Sequence, residues 1–475
     1  MKKALLLLIP ILLMFACKKD LIFDNSSDLR LSFSTDTVLF DTVFTTVGSS
    51  TRKFTVRNRS KDAVKIDYIG VATGSSSKFR LNIDGVGAKE LEDIEIEGGD
   101  SIFIFVDVTL DPNNTNNPLV ITDSILFMFN NVEQNVKLIA WGQDAYFYAP
   151  DPGSSFYIFD CATTLQSDKP HVFFGYAAVD STCELIINAG AQLHFHGPNS
   201  GMLIYTQGSL KVNGELDNEV VFQSDRLEPY FENLPGQWGR VWLFAGSVDN
   251  EINYAIIKNA TIGIQCDTIG NANPTLKIRN SVIRNSSAIG LFGQGTHIEA
   301  ENLLINNSGQ HDLVLNIGGS YSFKHCTMGN YWNYGIRSTP SVVVNNWYED
   351  FQGNVQLRDL TNAYFGNCII YGREENELAL VEETGADFNI FFENTIIKSD
   401  DEDVDFSDPT RFSNIKLNQN PKFINPQEGI YLLDTLSVAK DAGINALAVE
   451  IPFDLKGDSR ASDAAPDLGC YERVE

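Results

Sequence analysis

The architecture of the chain is legible first in Asn280-Ser281-Val282-Ile283-Arg284 and its echo Asn302-Leu303-Leu304-Ile305-Asn306. Each segment opens on Asn, which tolerates tight bends, and runs through a short apolar strand to a polar end. The pattern recurs upstream at Asn253-Tyr254-Ala255-Ile256-Ile257-Lys258. Downstream it returns at His325-Cys326-Thr327-Met328-Gly329, Asn367-Cys368-Ile369-Ile370-Tyr371 and Asn394-Thr395-Ile396-Ile397-Lys398. The last apolar positions, Ile257, Ile283, Ile305, Met328, Ile370 and Ile397, are separated by steps of 26, 22, 23, 42 and 27. The step of 42 reads as two of 21, with Val342-Val343-Val344-Asn345 in the gap. A second short strand follows each of the first four anchors, at Ile262-Gly263-Ile264, Ile289-Gly290-Leu291, Leu313-Val314-Leu315 and Tyr334-Gly335-Ile336.

A period of 21–27 residues with two or three short strands in each is a repeat architecture. The Leu-x-x-Leu-x-Leu ladder of leucine-rich repeats is missing, and no helical periodicity intervenes, which excludes βαβ units. Each circuit exposes an apolar inner face that only the next circuit covers. Further segments of this kind run upstream at 189–197, 208–214, 219–226 and 235–243. Together these segments resemble the right-handed parallel β-helix of the pectate-lyase-like class. The closing motifs Asn420-Pro421-Lys422-Phe423-Ile424-Asn425-Pro426, Asp441-Ala442-Gly443 and Pro466-Asp467-Leu468-Gly469-Cys470-Tyr471-Glu472 strengthen that resemblance. The fold hosts lyases, hydrolases and non-catalytic adhesins, so it implies an extended ligand more than a reaction.

Before the repeat, residues 21–145 alternate apolar and polar positions. Phe54 and Val56 point one way, while Lys53, Thr55 and Arg57 point the other. Turn clusters at Gly48-Ser49-Ser50, Gly74-Ser75-Ser76 and Gly98-Gly99-Asp100 separate the strands, as in a two-sheet sandwich. This region resembles the immunoglobulin-like domains that precede other modules in exported bacterial proteins. The expected organisation is all-β: a signal segment 1–16, an Ig-like β-sandwich 17–145, a linker and cap 146–180, a right-handed parallel β-helix solenoid 181–409, and a closing segment 410–475.

The chain begins Met1-Lys2-Lys3, then runs apolar from Ala4 to Phe15 before Ala16-Cys17-Lys18-Lys19. Twelve apolar residues are too few to span a bilayer, which needs about 20. The basic start, short apolar core and small residue read as a secretory signal. Ala16-Cys17 resembles the lipobox of bacterial lipoproteins. The resemblance implies cleavage before Cys17, lipid attachment at Cys17, and an outer-membrane lipoprotein facing the surface or the periplasm.

The 475 residues carry 35 Lys and Arg against 62 Asp and Glu, a net charge of −27. That balance disfavours nucleic acid, whose phosphates require a surplus of cations. Six cysteines remain after Cys17, too few for a disulfide framework in a chain this long. Cys161 and Cys183 flank the start of the repeat and are a candidate bridge. Cys326 and Cys368, read as two circuits apart, lie beyond disulfide reach.

Chemistry is sparser. Gly-x-Ser-x-Gly, His-Glu-x-x-His, the phosphate loop and the dinucleotide fingerprint are all absent from the sequence. His194 and His196 share one side of a strand, outside Phe195. Thirteen acids against Arg373 and Lys398 concentrate a net −11 in 372–408. Oxygen-rich clusters suit Ca²⁺, and the pectate lyases that the repeat resembles use Ca²⁺ to bridge enzyme and uronate. Asp400, Asp401, Asp403 and Asp405 are therefore candidate calcium ligands, although Phe406 stands where an EF-hand needs Gly. Trp238, Trp242, Trp332 and Trp347 are candidate sugar-stacking residues. Lys258 and Arg284 share a repeat position and form a candidate basic ladder for glycan contact. No catalytic residue is assigned. The reading favours a lipid-anchored envelope protein that binds extended polysaccharide, or a host or envelope protein as an adhesin, without turnover. A polysaccharide lyase or glycoside hydrolase on the same fold is the alternative.

Overall fold

The computed structural model describes residues 21–111, 119–268, 273–462 and 464–474. The signal segment and Cys17 lie outside the described residues. The chain is all-β and divides into two compact units, 1–144 and 145–475.

The first unit holds two five-stranded sheets around one core. One sheet runs in the order Ser32–Phe33, Arg52–Arg57, Ser101–Val108, Phe79–Ile83, Val86–Gly87. The other runs Thr37–Phe44, Val132–Gln143, Leu119–Phe129, Val64–Val71, Glu90–Ile96. Alternation has the effect expected of it: Phe54 and Val56 are buried and Lys53 and Arg57 are exposed. The strand Glu90–Ile96 is unmarked by hydrophobic pattern, because only Ile96 is buried and acidic side chains face outward. An acidic edge strand of this kind discourages pairing with another sheet.

The second unit is a closed barrel of parallel strands, part of one 24-stranded sheet around a single continuous core. Its strands fall into three rows, and each strand pairs in parallel with the equivalent strand one circuit on. In the first row Leu193, Phe222, Ile257, Ile283, Ile305, Met328, Ile370 and Ile397 follow one another in register, all fully buried. The second passes through Met202, Val241, Ile264, Leu291, Leu313, Val342 and Leu378. The third passes through Ile187, Val212, Ile252, Ile278, Ala300, Phe323, Phe365, Phe392 and Phe412. Its last four rings stack at 5.1, 4.6 and 5.5 Å.

The bends explain the Asn repeat. Asn280, Asn302, His325, Asn367 and Asn394 all have φ between 45° and 54°, the left-handed region in which Asn is several-fold enriched. Their side chains also bond from circuit to circuit. Asn280 donates to Asn253 and Asn302 donates to Asn280, both at 2.9 Å.

Four expectations are corrected. The step of 42 is a single long circuit, since Met328 pairs directly with Ile370. Val342–Asn345 belongs to the second row, and Trp347–Glu349 with Val355–Leu357 forms a hairpin in the excursion. The fourth second-row strand is therefore Val342–Asn345, and Tyr334-Gly335-Ile336 is largely exposed. Cys326 and Cys368 are consequently neighbours one circuit apart, yet both are free buried thiols. Residues 146–180, read as a linker and cap, carry four strands paired in parallel with the next circuit. Strands of three residues at Tyr146–Tyr148, Phe156–Ile158 and Thr163–Leu165 are too short to show a period of two.

The C-terminal residues stay in the rows through Lys416–Leu417. Beyond that point they lie along the outer side of the first row. Leu433, Ala439 and Leu468 pack on Ile369 and Ile396, and Tyr431, Leu455 and Cys470 pack on Leu304. The Asn bends dock this segment: Asn367 bonds Ile444 N at 2.8 Å and Asn394 donates to Ala442 O at 2.8 Å.

Candidate functional site

The outward side of the second row builds a strip of aromatic and amide side chains. Inward Val241 and Leu243 point Trp242 outward, and Phe244 lies on the same side two residues on. Trp242 has Gln265 as its register partner on the next circuit, and Gln265 has Phe292. Trp242 stacks on Phe244 at 4.3 Å, and Phe244 approaches Tyr205 at 5.1 Å. Asp267 ties the strip together. It accepts hydrogen bonds from the Trp242 indole N–H at 2.7 Å, Gln265 Nε2 at 2.9 Å and Gln294 Nε2 at 2.8 Å. The Arg240 guanidinium lies 5.2 Å from the Trp242 ring centre and donates to Gln265. The result is a partly exposed aromatic surface over buried Gln265, whose amide is bonded at both ends, with half-buried Gln294 and Asp267 at its edge. Aromatic rings present apolar faces for ligand C–H groups, and the Gln294 amide carbonyl and the Asp267 carboxylate offer acceptors to hydroxyls.

The outer side of the first row differs. Lys258, Arg284 and Asn306 are register neighbours on three successive circuits. Lys258 and Arg284 are half-buried, and Asn306 is buried. Burial, and then the adjacent Arg284, pulls the Lys258 ammonium below the usual lysine range. Burial also lowers Arg284, while Glu232 opposes that shift. Upstream in the same row His194 is buried, its Nδ1 3.0 Å from Ser224 O, and burial brings it down to about 4. His196 is half exposed and its Nδ1 lies 2.6 Å from Asp225, which raises it. The two histidines thus share a side without sharing an environment.

Other sequence-predicted residues fall elsewhere. Trp238 is fully buried, stacks on Phe195 at 4.4 Å and donates to Lys258 O. Trp332 is also buried and tilts against Tyr334. Both are core or capping rings, which corrects their reading as sugar contacts. Trp347 is half-buried at the hairpin, its indole N–H buried without a partner. The candidate calcium carboxylates are not brought together. Asp401 caps Asp403 N, Asp405 caps Ser407 N, and Asp400 accepts from Asn418. Among the described residues, no cluster of three or more metal-ligating side chains exists. Asp401 and Asp405 each tie down their own turn, and Asp400 is engaged by Asn418 on the next circuit. Cys161 and Cys183 form a disulfide with Cα atoms 4.7 Å apart.

Sequence reasoning missed Tyr205, Phe244, Gln265, Asp267, Phe292 and Gln294. A signal was there: Gln265 and Phe292 follow Trp242 at steps of 23 and 27, the same period as the apolar anchors. Applying that register to the outward positions would have aligned them.

No family model matches the chain, and no curated protein does either. Among solved structures, the chain is similar to the catalytic domain of a GH87 alpha-1,3-glucanase in complex with nigerose. The identity is 12%, the TM-score 0.21, and the match covers 77% of this chain and 86% of that one. It is similar to the VesB protease of Vibrio cholerae at 12% identity and a TM-score of 0.18, covering 24% of this chain and 31% of that one. It is similar to a family 123 glycoside hydrolase from Clostridium perfringens at 9% identity and a TM-score of 0.17, covering 24% and 27%. The chain thus spans about a third or less of the length of these last two. At TM-scores of 0.17 to 0.21 these likenesses carry no conclusion about function.

Proposed function

We propose that this protein is a lipid-anchored component of a bacterial envelope that binds extended polysaccharide without cleaving it. In this reading the second unit is a right-handed parallel β-helix of the pectate-lyase-like class, and the first is an immunoglobulin-like domain. Cys17 carries the lipid and holds the chain at the outer membrane. Among the described residues no helix is long and apolar enough to cross a membrane.

The observation that carries the binding role is the strip of Tyr205, Phe244, Trp242 and Phe292 edged by Asp267 and Gln294. Successive circuits of such a sheet are about 4.8 Å apart, so the strip offers a repeating surface to a repeating polymer. Stacking supplies affinity, and Gln294 with Asp267 selects hydroxyl pattern.

Retention of soluble polysaccharides by immobilised protein tests this. A retained glycan should lose roughly tenfold or more in affinity with Trp242→Ala, corresponding to about 1.4 kcal/mol or more, while Trp347→Ala leaves it unchanged. New reducing or unsaturated ends would replace binding with catalysis. Retention indifferent to Trp242→Ala would remove the strip from the function. For the anchor, Cys17→Ser should release the protein into the soluble fraction; persistent membrane association would refute lipidation at that residue.

A further inference from the structure

Arg284 lines a cleft of about 220 Å³ together with Asn285, Asn306, Asn333, Tyr334 and Glu428. Its Nε is buried with no hydrogen-bond partner, and the guanidinium forms no ion pair among the described residues. Lys258 stands beside it on the preceding circuit, also without an ion pair. Glu232 influences both cations but pairs with neither, and Glu428 at the cleft likewise pairs with neither. Two adjacent, half-buried cations without a carboxylate partner carry a desolvation and repulsion cost in a folded protein. The same cleft holds the opposite deficiency: Asn306 Oδ1 is buried and accepts nothing. A simple anion would satisfy the first and repel the second.

We propose that this cleft binds an oxyanion carried on a hydroxylated ligand, such as the carboxylate of a sugar acid or the phosphate of a sugar ester. The oxyanion sits on Arg284, whose planar fork matches two oxygens at once, with Lys258 supplying the second positive charge. A ligand hydroxyl donates to Asn306 Oδ1. The cleft lies on a different row from the aromatic strip, so it stands or falls apart from the polysaccharide reading.

Titration calorimetry on the whole protein, with D-glucuronate, glucose 6-phosphate, inorganic phosphate and glucose in separate arms, tests the proposal. Glucuronate or glucose 6-phosphate should bind, the tighter of the two naming the source, and glucose should not. Arg284→Gln should weaken binding at least tenfold, and Lys258→Met several-fold. Arg284→Lys keeps the charge without the fork and should fall between wild type and Arg284→Gln. Trp242→Ala should bind the anion as wild type does. Without ligand, Arg284→Gln should melt at the same temperature as wild type or higher, because an unpaired, half-buried charge beside Lys258 is removed. Absence of binding in all arms, equal binding of glucose, or unchanged affinity in Arg284→Gln would overturn the site. A lower melting temperature for Arg284→Gln would do the same, since it would make Arg284 structural. Inorganic phosphate bound as tightly as glucose 6-phosphate would overturn the hydroxyl contact with Asn306.

Discussion

Two arginines of the second unit sit out of water in opposite ways. Arg337 meets Glu377 through two bonds of 2.7 and 2.9 Å, and both side chains are almost wholly buried. Glu377 also accepts from Ser341 N at 3.0 Å and Glu374 N at 2.9 Å. Arg284 has none of this: it lines an open cleft beside a second cation. The contrast separates a charge that organises the fold from one that waits for a ligand. Both guanidiniums leave Nε without a partner, but Arg337 has its charge met by Glu377, whereas Arg284 has no carboxylate partner among the described residues and faces the unmet acceptor of Asn306.

The sharpest way to break the comparison is at Glu377. Glu377→Ala leaves Arg337 buried with only carbonyl partners, and removal of one member of a buried pair costs about 3–5 kcal/mol. The expected result is a large fall in melting temperature. A change comparable to that of Arg284→Gln would erase the distinction between the two sites.

His194 offers the next largest effect, because it belongs to the first row as Arg284 does but is fully enclosed. The unfolded chain protonates this imidazole below about 6.5, while the folded protein does so only near about 4. The folded value is the lower one, so the stability tied to the neutral ring is fully present above 6.5. It is lost as pH falls from 6.5 towards 4, by up to about 3 kcal/mol. Urea unfolding at pH 7 and pH 5 should show this loss, and His194→Gln should flatten it. Equal pH slopes for the two proteins would mean that the ring is not desolvated in the row.

How much of this was legible in sequence depends on how local the signal is. The apolar anchors were readable because each inward residue must meet its counterpart one circuit on, and the register of Ile257, Ile283 and Ile305 follows directly. The Asn bends were readable because the left-handed backbone selects that residue. The excursion between Met328 and Ile370 was not readable as one circuit, because an inserted strand from another row imitates a missing repeat. Glu377 illustrates the same limit for charge. In sequence it is one of thirteen acids between 372 and 408, and nothing nearby marks it as the one whose partner lies 40 residues back. Trp238 and Trp242 stand four residues apart, yet one is core and the other outward. Trp238 sits in an isolated bridge to Ala260, before the strand Arg240–Leu243 whose alternation turns Trp242 outward, and composition carries no trace of that break.

The smallest effect expected is also the most discriminating. Lys258 and Arg284 repel each other across one circuit, and burial adds to the cost. Lys258→Met keeps the aliphatic stem that packs in the row and removes the charge. With no ligand present it should leave stability unchanged or raise it by less than about 1 kcal/mol. In the double variant with Arg284→Gln, the gain from Lys258→Met should shrink, because the repulsion it relieves is already gone. Thermal melts of the four proteins in a buffer free of phosphate and sulfate measure that coupling. A stabilising coupling between the two cations, with the double variant more stable than the singles predict, would require an anionic partner already in place in the folded chain. Arg284 would then belong with Arg337, among the charges the fold has paired for itself.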